Sequence, residues 1–80
     1  MHPNDLLTAL RRKPFEPFRI LTTDGTAYLV CNPRLMMVGI RSVVIGYPDE
    51  TIPDVCARYD VVAMPDIIRL EEAGPPVASA

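Results

Sequence analysis

The chain contains no tryptophan and only two phenylalanines and three tyrosines. Its core must therefore be built mainly from aliphatic side chains. Hydrophobic residues still make up 49% of its 80 residues, which is typical of an ordered globular domain and not of a disordered chain. A chain of this length forms one domain and buries only about 60% of the surface that it exposes when unfolded. Domains this small often gain stability from a partner subunit.

Cysteine is also scarce, since Cys31 and Cys56 are the only two. Their spacing matches neither a CxxC redox motif nor a zinc-ligand pattern, so we interpret them as small residues buried in strands, with reduced thiols. No hydrophobic run approaches the roughly 18 residues of a membrane span, and the N-terminal segment lacks the pattern of a signal peptide. The sequence thus predicts a cytoplasmic protein with no membrane partner.

The only histidine is His2, next to the first residue. A Ser-His or Cys-His nucleophilic pair would have to take its base from that end of the chain. The phosphate-binding, dinucleotide-binding and zinc-protease motifs are missing, and Asp49, Glu50 and Asp54 lack the spacing of a calcium loop. We therefore expect no catalytic residue, no cofactor and no metal, and we predict that the protein is not an enzyme.

Positive charge is concentrated in the first part of the chain. Residues 1–47 include six basic and three acidic residues, a net charge of +3, whereas residues 48–80 include two basic and seven acidic ones, a net charge of −5. The overall charge of −2 argues against a dedicated nucleic-acid binder, which is usually basic. A basic patch with an aromatic stacking surface is still an alternative. Its candidate contacts, to nucleic acid or to another partner, are Arg11, Arg12, Lys13, Arg19, Tyr28, Arg34 and Arg41.

The N-terminal segment predicts a helix over residues 3–13. Pro3 suits the first helical turn, and three leucines recur at the spacing of one helical face. Pro14 ends the helix, because the residue before a proline is disfavoured in the α conformation. We interpret the segment KPFEPFRI at this point as a rigid joint between the helix and the first strand, and not as a binding motif.

The dipeptide Asp24-Gly25, at the centre of FRILTTDGTAYLVCN, predicts a β-hairpin. If these two residues form the whole loop, Ile20 lies opposite Leu29. Side chains alternate along a strand, so Leu29 then points into the core together with Ile20, and Val30 points to the other face.

The rest of the chain predicts further short strands. LMMVGIRSVVIGY predicts a second hairpin around Gly39-Ile40, and its strand SVVIGY is apolar enough to be buried on both sides. CARYDVVAM predicts a strand, PDII a 3₁₀ turn and IRLEE a closing strand. This order predicts a mostly β fold: a small SH3-like or Sm-like barrel of five to six short antiparallel strands with an N-terminal helix. The domain spans residues 1–72, with strands from residue 15 onward, and a flexible tail follows at residues 73–80.

The segments LLTALRRKPFEPFRILTTDGTAYLV, VGIRSVVIG and VVAMPDIIRLE together resemble a group of small bacterial proteins of uncharacterised function. These share a leading helix, a PFxPFRI segment, a DG hairpin and a VGxxSVVIG strand. The resemblance covers nearly the whole chain up to Glu71, and it implies a single domain but no activity. A weaker resemblance, at the level of the fold, is to Sm-like RNA-binding proteins. The chain departs from them at Ile40-Arg41-Ser42, where a glycine is expected after Ile-Arg.

The surplus of apolar strand residues predicts a non-enzymatic binding or assembly module that self-associates into a homo-oligomer, with an unknown protein partner also possible. Met36 and Met37 add flexible side chains of the kind used at adaptable contact surfaces. The alternative is an Sm-like RNA-binding protein that uses the basic N-terminal half. The candidate self-association surface consists of Leu21, Tyr28, Val30, Met36 and Met37.

Overall fold

The computed structural model describes residues 1–73, in which one α-helix and six β-strands form two sheets. The predicted tail lies, apart from Ala73, outside the described residues. Two 3₁₀ helices, Pro33–Leu35 and Met64–Asp66, directly precede the third and the sixth strand. The bounds of the other elements are α1 Pro3–Leu10, β1 Phe18–Thr22, β2 Ala27–Val30, β3 Met36–Val38, β4 Ser42–Pro48, β5 Cys56–Ala63 and β6 Ile67–Glu72.

Helix α1 begins at Pro3, as predicted, and is capped by His2. The Nδ1 atom of His2 accepts a hydrogen bond of 3.0 Å from the backbone N–H of Asn4. The helix ends at Leu10, and not at residue 13. The three residues that follow are exposed and basic, so no packing holds them in a helical conformation before Pro14 disfavours it.

The strands form two antiparallel three-stranded sheets: sheet 1 has the order β2-β1-β6, and sheet 2 has the order β3-β4-β5. The prediction of a mostly β fold with an N-terminal helix is confirmed. A closed barrel, however, does not form among residues 1–73. The 3₁₀ helix Pro33–Leu35 separates β2 from β3, and so interrupts the strand that would carry hydrogen bonding from one sheet to the other.

The core lies between the inner sides of the two sheets. The side chain of Leu6 joins it from helix α1, where it is fully buried. Phe15, in the joint between the helix and β1, packs edge-on against Phe18 with ring centroids 6.1 Å apart. The buried residues of the core are Leu6, Phe18, Ile20, Val30, Val43, Ile45, Val62, Met64 and Ile67.

The first hairpin forms where it was predicted, but its register is shifted by one residue, because Ile20 lies opposite Tyr28 and not opposite Leu29. Its loop has three residues, since Gly25 N–H bonds to the carbonyl of Thr22 and Gly25 has a φ of 86°. A type I turn followed by a glycine in the left-handed region is a common three-residue hairpin loop. A shift of one residue turns every side chain of one strand to the other face.

The shift overturns two predictions about β2 and the residue that follows it. Val30 is 1% exposed and belongs to the core, so it is not available to the self-association surface to which it was assigned. Leu29 and Cys31 point outward and are exposed, which reverses their predicted burial. Cys56 is exposed as well, so the interpretation of both cysteines as buried strand residues was wrong.

The second hairpin is confirmed, with Gly39 N–H bonded to the carbonyl of Ser42 at 2.8 Å across the tip. Strand β4 is not uniformly buried, as SVVIGY had suggested. Val43 and Ile45 are fully buried, whereas Val44, between them, is partly exposed. The strand lies at the centre of sheet 2, but only one of its two sides is covered by the core.

Candidate interaction surfaces

Sheet 2 has a face that points away from the core. Because Val43 and Ile45 point inward, the residues between them point outward, and the register places Val44 between Met37 of β3 and Val61 of β5. The same alternation places Tyr59 beside Gly46. We call this surface the outer face of sheet 2, and define it by Met37, Ser42, Val44, Gly46, Tyr59, Val61 and Ala63.

The outer face of sheet 2 contains no charged residue. Three of its large side chains are mostly accessible to solvent: Met37 is 69% exposed, Tyr59 63% and Val61 60%. Single exposed hydrophobic residues are common on protein surfaces, but a contiguous apolar patch is typical of an interaction site. The register makes this patch contiguous, since Met37, Val44 and Val61 form one row across the sheet.

Gly46 gives the outer face its shape at one end. A Cβ atom at this position would lie 2.5 Å from the carbonyl oxygen of Leu35 and 2.8 Å from its Cβ. Only glycine therefore allows the 3₁₀ helix Pro33–Leu35 to approach β4 so closely. A side chain at residue 46 would push Leu35 and the start of β3 away from the sheet.

The outer face of sheet 1 is charged. Arg19 of β1 lies between Leu29 and Glu71 in the register, and Arg69 makes an ion pair with Glu71 at 2.8 Å. Exposed ion pairs of this kind are well solvated and contribute at most about 1 kcal/mol each. The outer face of sheet 1 thus combines charged side chains with the exposed Leu29.

The five residues of the predicted self-association surface do not lie together. Leu21, Tyr28 and Val30 belong to sheet 1, whereas Met36 and Met37 belong to β3 in sheet 2. Tyr28 and Met36 are partly buried and pack against the core. Of the five, only Met37 lies on the outer face of sheet 2.

Sequence reasoning missed Tyr59 and Val61. The signal was present in RYDVVA, where Tyr59, Val61 and Ala63 alternate with Arg58, Asp60 and Val62. Apolar residues at every second position predict that they share one face. Arg58 and Asp60 lie on the side of β5 that faces the core. The sequence could not predict this, because that half of sheet 2 extends beyond the area that sheet 1 covers.

The predicted basic residues are spread over several elements. Arg12 makes ion pairs with Glu16 at 3.1 Å and with Glu72 at 3.6 Å, and Arg34 lies 3.5 Å from Asp54. Arg11 and Lys13 are exposed after helix α1, Arg19 lies on sheet 1 and Arg41 at the tip of the second hairpin. Tyr28, the proposed stacking residue, packs partly against the core. Acidic neighbours therefore offset the charge of several of these residues.

A cleft of about 440 Å³ lies between the edge of β2 and the inner side of the β4–β5 pair. In it the hydroxyl group of Tyr47 donates a hydrogen bond of 2.8 Å to Oδ2 of Asp60. The guanidinium group of Arg58 lies 4.1 Å from the centre of the Tyr47 ring and 3.9 Å from Asp60. Burial, together with the hydrogen bond to Asp60, raises the pKa of Tyr47 to about 12. These contacts link β4 with β5 at the far end of sheet 2.

Comparisons with protein-family models, with curated proteins and with solved structures found no significant match to this chain. Within residues 1–73, no three histidine, cysteine, aspartate or glutamate residues are grouped in a way that could hold a metal ion. The same part of the chain includes no helix that is long and apolar enough to cross a membrane. The geometry of the two sheets is therefore the basis for a functional proposal.

Proposed function

We propose that the protein is a non-enzymatic binding and assembly module that self-associates through the outer face of sheet 2. The observation that carries this proposal is the uncharged row across three strands in which the partly exposed Val44 lies between the exposed Met37 and Val61. Burying this row removes apolar surface from water, which is the main driving force of association.

A second copy of the chain is the partner that this surface fits best. A face without charge can meet its own copy around a two-fold axis without repulsion between like charges. Tyr59, which lies on the same face and is 63% exposed, can take part in the contact.

The expected assembly is weak. Strands about 4.8 Å apart, with about 3.3 Å per residue, give the three-stranded face a planar footprint of roughly 300 Å². Stable complexes bury about 800 Å² on each partner, so the face alone supports a dimer that depends on concentration.

The proposal is tested by measuring molar mass with light scattering on a sizing column at protein concentrations from about 10 μM to 1 mM. We expect the wild-type mass to rise with concentration and Val61→Glu to stay monomeric, because the substitution places a carboxylate in the middle of the apolar row. Ile52→Glu is the matched control. Ile52 is similarly exposed, at 55%, but lies in the loop between β4 and β5, so this variant should associate like the wild type. A wild-type monomer at every concentration would refute the proposal.

The proposal also includes the type of fold and the cellular location. We assign the two sheets to the SH3-like or Sm-like type, supported by the strand order and by the 3₁₀ turn before the last strand. We place the protein in the bacterial cytoplasm, supported by its resemblance to small bacterial proteins. The non-enzymatic assignment is supported by His2, whose Nδ1 already accepts the hydrogen bond that caps helix α1.

The alternative of an RNA-binding protein is the weaker proposal, because Arg12 and Arg34 already have acidic partners. A gel shift with mixed single-stranded RNA at low and high salt tests it. Binding at low salt that is lost in Arg11→Ala/Arg12→Ala would favour this alternative over the assembly module. Binding through phosphate contacts should also weaken steeply as salt rises.

A further inference from the structure

Strand β2 has a free edge. It is the first strand in the order β2-β1-β6, so no strand pairs with its other side within residues 1–73. Thr22 N–H bonds to the carbonyl of Thr26, which makes these two residues a hydrogen-bonded pair. Because such pairs alternate along an antiparallel ladder, the backbone N–H and C=O groups of Ala27 and Leu29 point away from β1.

This edge, like that of β3, contains no charged residue, unlike the other two sheet edges of the described chain. Strand β3 is only three residues long and follows Pro33. Strand β5 has a register irregularity opposite Pro48 and contains Arg58 and Asp60. Strand β6 contains charged residues. Short length, proline, irregular register and charge are the usual means by which proteins prevent unwanted pairing at an edge. Strand β2 is also short, with four residues, but its sequence AYLV contains no charge and no proline, and its pairing with β1 has no register irregularity.

The free edge opens into the cleft that contains Tyr47, Arg58 and Asp60, and both Ala27 and Leu29 line that cleft. Sheet 1 does not extend over these three residues, because it ends at β2. A fourth strand placed about 4.8 Å beyond β2 would lie in this space and cover the inner side of the β4–β5 pair.

The exposed Arg58 side chain in the cleft can bind an acidic side chain of a partner. Arg58 is the only basic residue that lines the cleft, and its side chain is 71% exposed. Asp60, its acidic neighbour, already accepts the hydrogen bond from Tyr47 and lies at 3.9 Å from Arg58. Arg58 therefore has N–H donors left for a second carboxylate, since a guanidinium group carries five.

From these observations we propose that the edge of β2 binds an extended acidic peptide as a fourth strand of sheet 1. The backbone of the peptide pairs with Ala27 and Leu29, and an acidic side chain of the peptide points inward to Arg58. The recognition is of the β-augmentation type, in which main-chain hydrogen bonds supply affinity and alternate side chains supply specificity. This site is separate from the outer face of sheet 2, so it adds a second kind of partner to a self-associating module.

The test uses a synthetic peptide of sequence Ser-Val-Thr-Glu-Thr-Val-Ser, blocked at both ends, in which the glutamate and both valines lie on one side of an extended strand. Two further peptides are the controls. One has lysine in place of the glutamate. The other has N-methyl groups on the backbone amides of the two threonines, whose side chains lie on the opposite side of the strand from the glutamate. The readouts are the dissociation constant from NMR titration of the full-length protein and the identity of the amide resonances that shift.

We expect the glutamate peptide to shift the resonances of Ala27, Leu29 and Arg58. The N-methylated peptide should bind about thirtyfold more weakly, because two main-chain hydrogen bonds are lost. The lysine peptide should bind about threefold more weakly, as befits an exposed ion pair. Arg58→Gln should abolish the preference for the glutamate peptide over the lysine peptide, because only the carboxylate of Asp60 then remains in the cleft, while leaving the effect of N-methylation unchanged.

Several outcomes would overturn the proposal. They are no binding of the glutamate peptide at millimolar concentration, equal binding of the N-methylated peptide, and shifts confined to the outer face of sheet 2. The proposal would also be overturned by slow exchange of the Ala27 and Leu29 amide hydrogens, measured without peptide at a protein concentration at which the chain self-associates. That result would mean that a second copy of the chain occupies the edge. Failure here leaves the light-scattering test of self-association unaffected, because the two tests read different surfaces.

Discussion

The outer faces of the two sheets differ in charge. Sheet 1 presents Arg19, Arg69 and Glu71 to solvent beside Leu29. Arg69 and Glu71 form an ion pair along β6, and Arg19 lies opposite Glu71 in the register. Sheet 2 presents Met37 and Val61 on either side of Val44 and no charge at all. Both faces belong to one small domain, so composition and hydropathy averaged over the chain cannot distinguish them.

The difference favours the outer face of sheet 2 as the one that a partner covers. A charged sheet face is stable in water, whereas an apolar one gains free energy when it is covered. We infer that the sequence of sheet 1 is adapted to solvent and that of sheet 2 to a partner. The predictions that follow test this contrast, from the largest expected effect to the smallest.

Gly46→Ala should break the contrast by deforming the outer face of sheet 2. The new Cβ would lie 2.5 Å from the Leu35 carbonyl oxygen, so β3 must move, and we expect a loss of about 2 kcal/mol or more in the free energy of unfolding. Urea denaturation measures it. Ser42→Ala, on the same strand and the same face, is the control and should stay within about 0.5 kcal/mol of the wild type. A Gly46→Ala variant as stable as the control would contradict the close approach of Leu35.

Tyr47→Phe should distinguish the inner side of sheet 2 from its outer face. The pKa of Tyr47 is raised to about 12 in the folded state from about 10 in the unfolded chain, so its contribution is present below pH 10 and is lost as the pH rises toward 12. We expect the variant to lose about 1 kcal/mol at neutral pH, since the hydrogen bond to Asp60 is only partly buried. Its stability should then fall less steeply than that of the wild type between pH 10 and 12.

The control for this comparison is Tyr59→Phe, because Tyr59 lies on the outer face and is 63% exposed. Urea denaturation at intervals between pH 8 and 12 measures both variants. Equal pH dependence of the wild type and Tyr47→Phe would contradict the account of the Tyr47–Asp60 hydrogen bond.

Glu71→Gln should sharpen the contrast from the side of sheet 1. The substitution removes the partner of Arg69 and the neighbour of Arg19, and exposed pairs of this kind contribute at most about 1 kcal/mol. The loss of stability should shrink in about 1 M salt, where the Debye length falls to about 3 Å. Met37→Gln on sheet 2 is the matched control. Its effect on the free energy of unfolding should not shrink in about 1 M salt, because no ion pair is removed. An effect of Glu71→Gln that is independent of salt would argue that the charged face is held by something other than ion pairs.

The order of the elements and the two hairpins could be predicted from the sequence, because proline, glycine and alternation act locally. The register of the first hairpin could not, since TTDGT allows a two-residue or a three-residue loop, and only packing decides between them. In the fold, packing places Val30 in the core and Leu29 outside it. This shift buries Val30, which was predicted to lie on the self-association surface, and exposes Cys31, which was predicted to be buried.

The candidate surfaces were the least predictable part, because both depend on which residues neighbour one another across strands. Val44 and Val61 are 17 positions apart in sequence, and only the register of β4 and β5 places them side by side. The cluster of Tyr47, Arg58 and Asp60 arises in the same way, and it is uncovered only because sheet 1 ends at β2. Local sequence patterns give the direction of a side chain but not where a sheet ends.

The central claim, that the outer face of sheet 2 is the self-association surface, is tested most directly by NMR during dilution. Amide resonances of the full-length protein are followed from about 1 mM to 10 μM. We predict that the resonances that shift are those of Met37, Val44 and Val61, and that those of Arg19 and Glu71 stay in place. Shifts confined to sheet 1, or no shifts in a protein whose mass does not change, would contradict the account.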